Sequence, residues 1–167
     1  MATVTRMLRS ETGLTLTEVF VVMIIGTMIM AGLVGFYLAS QGLWLDASTQ
    51  AITQREASLV AEAVRDYVRQ SGAAIATPSP DGLHQQLALL KTSKPGEVPY
   101  YYFWWDPADS LIHSGATVGG TGTGPMIVSR ADRFQVTSTT NGVRMDLRLW
   151  TATGSTVEIG TYAVFQN

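Results

Sequence analysis

The chain has no cysteine and only two histidines among its 167 residues. Without cysteine, disulfide bonds, zinc–thiolate sites and cysteine nucleophiles are excluded. His84 and His113 lie in different segments, and no nucleophile pattern accompanies either of them. We therefore expect no enzymatic activity and no bound cofactor.

Charge is also scarce, and its sign argues against one class of partner. Charged residues make up 14% of the chain, and the net charge is −2. Once Arg6, Arg9 and Glu11 are set aside, the remaining sequence carries 9 basic and 12 acidic side chains. Because phosphate binding requires clustered lysine and arginine, nucleic acid is not expected as a partner.

Residues 19–45 contain no charged side chain at all. A bilayer is crossed by about 20 apolar residues, so residues 19–38 predict a transmembrane helix. Arg6 and Arg9 precede it, and the positive-inside rule then keeps the N-terminus cytoplasmic and sends the chain after Leu45 across the membrane. The alternatives are a buried soluble helix, which is rarely apolar on every face, and a cleaved secretory signal, whose apolar region is only about 7–15 residues long.

The helical pattern continues beyond the apolar run, and no proline interrupts residues 14–70. Apolar residues that include Ile52, Leu59 and Val60 recur there at spacings of three, four and seven. This spacing predicts an amphipathic helix with one face to bury. Ser71 and Gly72 are typical of a helix end.

Residues 73–167 predict a globular head that is rich in strands. Residues 83–91 have the spacing of a short amphipathic helix, and residues 100–114 predict two short strands around a turn at Asp106 and Pro107. Asp106 and Asp109 fall short of the six to eight oxygens that calcium needs, so a solvated turn is favoured and no metal is expected.

The C-terminal part of the head predicts a three-stranded antiparallel meander. Asn141-Gly142 and Thr153-Gly154 separate three runs of alternating character, and Asn-Gly between such runs is the strongest short hairpin signal. The alternation shifts at Gly160, which suggests a bulge. The predicted fold class is α+β, with a long N-terminal helix whose outer half packs on a small antiparallel sheet.

The first residues of the apolar run carry a recognisable motif, GLTLTE at residues 13–18. With its short basic leader and uninterrupted helix, it resembles the cleavage and methylation signature of type IV pilin precursors and type II secretion pseudopilins. The resemblance implies that a prepilin peptidase cuts after Gly13 and methylates the new amine of Leu14. The family usually has phenylalanine at the position of Leu14 and an aliphatic residue at that of Thr17, so both positions depart mildly from its pattern.

The resemblance also implies roles within the apolar helix. Glu18 of an incoming subunit would pair with the amine of a neighbour, because each charge is otherwise unpaired in a low dielectric. Thr15-x-x-Glu18 is also a capping-box pattern that needs no filament, and both roles stay open. Gly32 and Gly35 stand where a proline often softens the helix of major pilins.

The family organisation divides the chain into four parts. These are a leader at 1–13, a transmembrane half-helix at 14–45, an amphipathic half-helix at 46–72 and a periplasmic or extracellular head at 73–167. The lack of a disulfide-bounded loop favours a minor pilin or minor pseudopilin. Its implied partners are other pilin or pseudopilin subunits, the prepilin peptidase and the inner-membrane assembly platform.

The densest aromatic stretch is YYYFWW at residues 100–105. On a strand, alternate side chains face outward, so Tyr100, Tyr102 and Trp104 are candidates for a subunit interface. The alternative function is a membrane-anchored adhesin or binding module that uses this aromatic strand as its surface.

Overall fold

The computed structural model describes residues 15–118 and 124–166, so the predicted leader, Gly13 and Leu14 lie outside the described residues. One helix and seven strands follow in chain order: α1 Leu16–Arg69, β1 Ala73–Pro78, β2 Gln85–Leu90, β3 Tyr101–Asp106, β4 Leu111–Gly115, β5 Ala131–Thr139, β6 Gly142–Trp150 and β7 Thr156–Val164. The chain divides into two compact units, Met1–Trp44 and Leu45–Asn167. The coarse prediction of an α+β protein with a long N-terminal helix is confirmed.

The N-terminal part of α1 is exposed to solvent on all sides. Every residue from 15 to 47 is exposed. The helix passes through Gly32 and Gly35 without a break, and a side chain added at either glycine would meet nothing within 4 Å. Neither glycine is therefore required by packing inside the chain.

The C-terminal part of α1 buries one face against the strands. Its buried residues are Thr53, Ala57, Val60, Ala61, Val64 and Val68. The prediction placed Ile52 and Leu59 on this face, but they are 59% and 50% exposed. At 3.6 residues per turn, Ile52 and Leu59 lie about 100° and 120° around the helix from the midpoint between Val60 and Val64, and so fall outside the buried stripe. The amphipathic helix is confirmed, and its assigned face is corrected.

Residues 73–115 form a four-stranded antiparallel sheet with the order β1-β2-β3-β4. The predicted helix at residues 83–91 is wrong, because Gln85–Leu90 is strand β2. Leu87, Ala88, Leu89 and Leu90 are all buried, which means that both faces of this central strand are covered. A short run that is apolar on both faces loses the alternation typical of strands and imitates a helix.

The C-terminal strands form the predicted meander, with the order β5-β6-β7. The predicted bulge at Gly160 is wrong, because β6 and β7 stay in register through the Asp146–Gly160 pair. The register shift lies instead between Ala131 and Arg133 in β5. Val157 and Ala163, on either side of Gly160, are both buried and lie on the same face of β7.

The β5–β6 hairpin forms at the predicted Asn141-Gly142 signal, but its two turn residues are Thr140 and Asn141, one position earlier. Thr139 pairs with Gly142, so Thr140 and Asn141 make the turn and Gly142 is already the first residue of β6. A Cβ at Gly142 would lie 2.1 Å from the carbonyl oxygen of Ala163 on β7. Glycine is therefore needed there for close strand approach rather than for turn geometry.

One hydrophobic core joins the three layers of the second unit. It contains Val60 and Val64 from α1, Leu87 and Phe103 from the first sheet, and Phe134 from the second. Each side chain of this size contributes about 1.5–3 kcal/mol when it is fully buried. The core thus fixes the helix and both sheets as one body within Leu45–Asn167.

Candidate functional site

At the start of α1, the side chains of Thr15 and Glu18 from the GLTLTE motif bond to each other's residues. The Thr15 backbone N–H donates to Glu18 Oε2 at 3.1 Å, and the Thr15 hydroxyl lies 3.2 Å from the same oxygen. In return, the Glu18 backbone N–H donates to Thr15 Oγ1 at 3.3 Å. These reciprocal bonds make a capping box, so the capping interpretation of Thr15 and Glu18 is confirmed for the isolated chain.

The carboxylate of Glu18 has a second source of local stabilisation. The N-terminal end of a helix carries a partial positive charge from its unpaired N–H groups, which favours an acid in the first turn. Glu18 is the acidic residue of that turn in α1. The side chain is therefore held in a defined place at the mouth of the apolar helix.

The segment that follows Glu18 is apolar on all sides. In the described chain, α1 alone is long and apolar enough to cross a membrane, and none of its most apolar 18-residue window is buried. Phe20 is 63% exposed, Met28 71% and Phe36 74%. Burial of apolar surface is favourable by roughly 25 cal/mol per Å², so lipid or other protein would stabilise this segment.

The aromatic stretch at residues 100–105 is not the exposed surface that alternation predicted. Trp104 is 6% exposed and stacks on His113 with ring centroids 5.6 Å apart. The expectation that Trp104 faces outward is therefore wrong, while its role in a subunit interface stays a prediction. Phe103 lies in the core, as strand alternation predicts. Trp104 is on the opposite face of β3, and that face is covered at this position as well.

Tyr100 is half-buried and its hydroxyl completes the end of α1. It lies 3.0 Å from the hydroxyl of Ser71 and donates to the Tyr67 carbonyl at 3.3 Å. Gly72 follows directly, and a Cβ there would lie 2.5 Å from the backbone oxygen of Lys91. Tyr102, the third predicted interface residue, is also half-buried. Unlike Tyr100, it makes no side-chain hydrogen bond within the described part of the chain.

Each histidine is paired with an aspartate, which the sequence analysis did not predict. His84 Nδ1 lies 2.5 Å from Asp81 Oδ2, and His113 Nε2 lies 2.8 Å from Asp109 Oδ2. The hydrogen bond from His84 is the main reason that the pKa of Asp81 lies below its usual value. His84 Nε2 has no hydrogen-bond partner among the described residues, so no described hydroxyl is placed to be activated by it.

Asp106, Asp109 and His113 each bring one possible metal-ligand atom within 4.8 Å of the others. The aspartates already accept backbone N–H groups, Asp106 from Ala108 and Asp109 from Leu111, both at 2.9 Å. Burial tends to raise the pKa of Asp109, but the bonds from Leu111 and His113 outweigh it and the pKa is lowered. Asp106 and Asp109 lie in the turn that the sequence predicts. His113, four residues after Asp109, contacts that turn through its bond to Asp109.

Compared with models of protein families, with curated proteins and with solved structures, the chain gives no match.

Proposed function

We propose that this chain is a structural subunit, a minor pilin or minor pseudopilin, that assembles into a type IV pilus or a type II secretion pseudopilus. One observation carries the proposal. The GLTLTE motif leads directly into a helix whose apolar residues are all exposed up to residue 47, with Glu18 held at its first turn. A helix of this kind needs a new environment when it leaves lipid, and neighbouring subunits in a filament supply one.

The proposed maturation acts on residues just before the described helix. A prepilin peptidase cuts after Gly13 on the cytoplasmic side and methylates the amine of Leu14. The cut creates a positive charge four residues before Glu18. Pairing of that amine with the Glu18 carboxylate of a neighbour then sets the register of an incoming subunit.

The proposal also specifies a location. The helix anchors the precursor in the inner membrane with its N-terminus cytoplasmic, and the head lies in the periplasm until the assembly platform extracts the subunit into the fibre. The length and apolar character of α1 support the membrane anchor.

The alternative adhesin function would need an aromatic surface on β3. The burial of Trp104 and the internal bonds of Tyr100 remove most of that surface from the isolated chain. These contacts favour the structural role.

Mass spectrometry of the mature N-terminus tests the proposal most directly. The expected protein begins at Leu14 and carries the added mass of one methyl group. A protein that keeps Met1 in cells with an active prepilin peptidase would refute the processing. A matched Gly13→Leu variant should remain uncut, because a side chain at that position blocks entry into a tight cleavage site.

A further inference from the structure

The hairpin formed by β3 and β4 brings three metal-ligating side chains together. Asp106 is the last residue of β3, Asp109 lies in the turn and His113 lies on β4. One ligand atom of each lies within 4.8 Å of the other two. Because the three residues come from two paired strands and their turn, an ion bound to all of them would tie the hairpin together.

Each aspartate uses one carboxylate oxygen to bind the backbone of the turn. Asp106 Oδ1 accepts the Ala108 N–H and Asp109 Oδ1 accepts the Leu111 N–H, both at 2.9 Å. These bonds orient the two carboxylates and leave Oδ2 of each as a ligand atom. Hydrogen bonds that orient the ligating groups are a regular part of metal sites.

His113 supplies a ligand of a different kind, and packing holds it in place. Only 9% of its side-chain surface is exposed, and its ring stacks on Trp104. Its Nε2 lies 2.8 Å from Asp109 Oδ2, so this nitrogen points to the turn. A neutral imidazole with that nitrogen unprotonated is a common metal ligand.

The separations between the ligand atoms suit a small ion. In a tetrahedral zinc site with bonds of about 2.0–2.2 Å, neighbouring ligand atoms are about 3.4 Å apart. The observed separations run from 2.8 Å to at most 4.8 Å. They differ from the tetrahedral value by about 0.6–1.4 Å, which rotation of the aspartate side chains can supply.

The donor set narrows the class of ion. Calcium and magnesium take oxygen ligands, whereas an imidazole nitrogen beside carboxylate oxygens suits zinc. The two carboxylates also balance the charge of a divalent ion. From these contacts we propose that Asp106, Asp109 and His113 bind one Zn²⁺ ion. The sequence analysis expected no metal because it counted only the two aspartates, and His113 supplies the third ligand.

A second histidine–aspartate pair in the head provides a matched control. His84 Nδ1 lies 2.5 Å from Asp81 Oδ2, and Asp81 Oδ1 accepts the Leu83 N–H at 3.0 Å. Within the described part of the chain, this pair belongs to no group of three possible ligands. Zinc sites use three or four protein ligands, so zinc should bind at the β3–β4 hairpin and not at His84.

The test is a calorimetric titration of the full chain with zinc chloride, in a nonionic detergent and without an affinity tag. We expect saturable binding of one ion per chain. Asp106→Asn and Asp109→Asn should each weaken binding at least about tenfold, since even the loss of an orienting partner costs about 10–100-fold. Each asparagine oxygen can still accept its backbone N–H. Asp81→Asn should bind zinc like the original chain.

Two further measurements report on the ligands and on the fold. Excess Ca²⁺ should not displace zinc, because calcium makes no use of the imidazole nitrogen. Zinc should raise the unfolding temperature of the original chain and of Asp81→Asn, since an ion that binds the folded state stabilises it. The same zinc concentration should raise that of Asp106→Asn much less.

Several results would overturn the proposal, and none of them depends on filament assembly. Unchanged zinc binding by Asp106→Asn would place the ion outside these three residues. An equal loss in Asp81→Asn and Asp109→Asn would show that zinc does not distinguish the hairpin from the His84 pair. Displacement by Ca²⁺ at equal concentration would exclude a role for His113. A cooperatively folded chain that shows no saturable binding would show that the hairpin binds no zinc.

Discussion

The two interpretations of Glu18 can be separated by one substitution, Glu18→Gln. In the described chain the Glu18 side chain accepts from the Thr15 N–H at 3.1 Å and lies 3.2 Å from its hydroxyl. A glutamine oxygen can accept both bonds, and glutamine serves in capping boxes as well as glutamate does. The substitution therefore keeps the cap and removes only the charge. Glu18→Ala removes both.

The expected magnitudes differ enough to decide between the two roles. A lost helix cap costs about 0.5–2 kcal/mol. A charge left in low dielectric after its partner is removed costs about 3–5 kcal/mol. Since 1.4 kcal/mol is tenfold, losing the charge should lower incorporation into filaments by a factor of about 100 or more. Losing the cap alone should lower it by a factor of about 2–30.

The assay compares the subunit in sheared filaments with the subunit in membranes, for variants that insert into the membrane equally. Thr15→Val is the matched control, because it removes the capping hydroxyl and keeps the acid. We expect Glu18→Gln and Glu18→Ala to be strongly defective and Thr15→Val to be much less affected. If Glu18→Gln assembles normally while Thr15→Val and Glu18→Ala fail, Glu18 acts only as a cap and the charge-pairing mechanism is wrong.

Three further predictions follow from the packing and the charges. Gly142→Ala should lower the free energy of unfolding by about 1–3 kcal/mol in denaturant titrations, because the new methyl group meets a strand backbone 2.1 Å away, whereas Gly124→Ala enters open space and should change little. Replacing Gly32 and Gly35 by leucine should leave the stability of the isolated chain unchanged but reduce incorporation into filaments by stiffening the helix; unchanged incorporation would contradict the softening role. Because the pKa of Asp81 is lowered, its ionised form stabilises the fold above about pH 4, and this contribution is lost as the pH falls further. Asp81→Asn should therefore flatten the acid side of a profile of thermal stability against pH. An unchanged profile would refute the assignment.

Those parts of the fold that local signals specify could be predicted from the sequence. The end of α1 falls at Arg69, just before the predicted Ser71-Gly72 stop. The meander follows its two turn signals, and Gly154 has the positive φ of 87° that such a turn requires. The capping box was also visible, because it joins residues only three positions apart. In each case neighbouring residues supply most of the energy that selects the structure.

The errors in the two sheets lie mainly where distant contacts decide the outcome. Strand β2 was taken for a helix because its leucines are buried from both sides, which becomes visible only when β1 and β3 are placed beside it. Trp104 was assigned to the surface because the sequence does not reveal that His113 covers it. The bond between Ser71 and Tyr100 spans 29 residues and has no local signature. The stacked pair of His84 and Trp105 arises in the same way, from a hairpin turn brought against the end of β3.

The cap and the proposed charge pair of Glu18 need not compete for the same atom. Both bonds from Thr15 use Oε2, and a carboxylate accepts at both oxygens, so Oε1 can receive an amine while the cap persists. The surroundings decide whether that extra contact matters. An ion pair in water contributes only about 0–1 kcal/mol, too little to select a register, whereas the same pair among apolar helices leaves a costly unpaired charge whenever the register is wrong. Under the proposed function, the long exposed apolar helix is thus what gives the single acid its selectivity, and an acid on a polar helix would not act in this way.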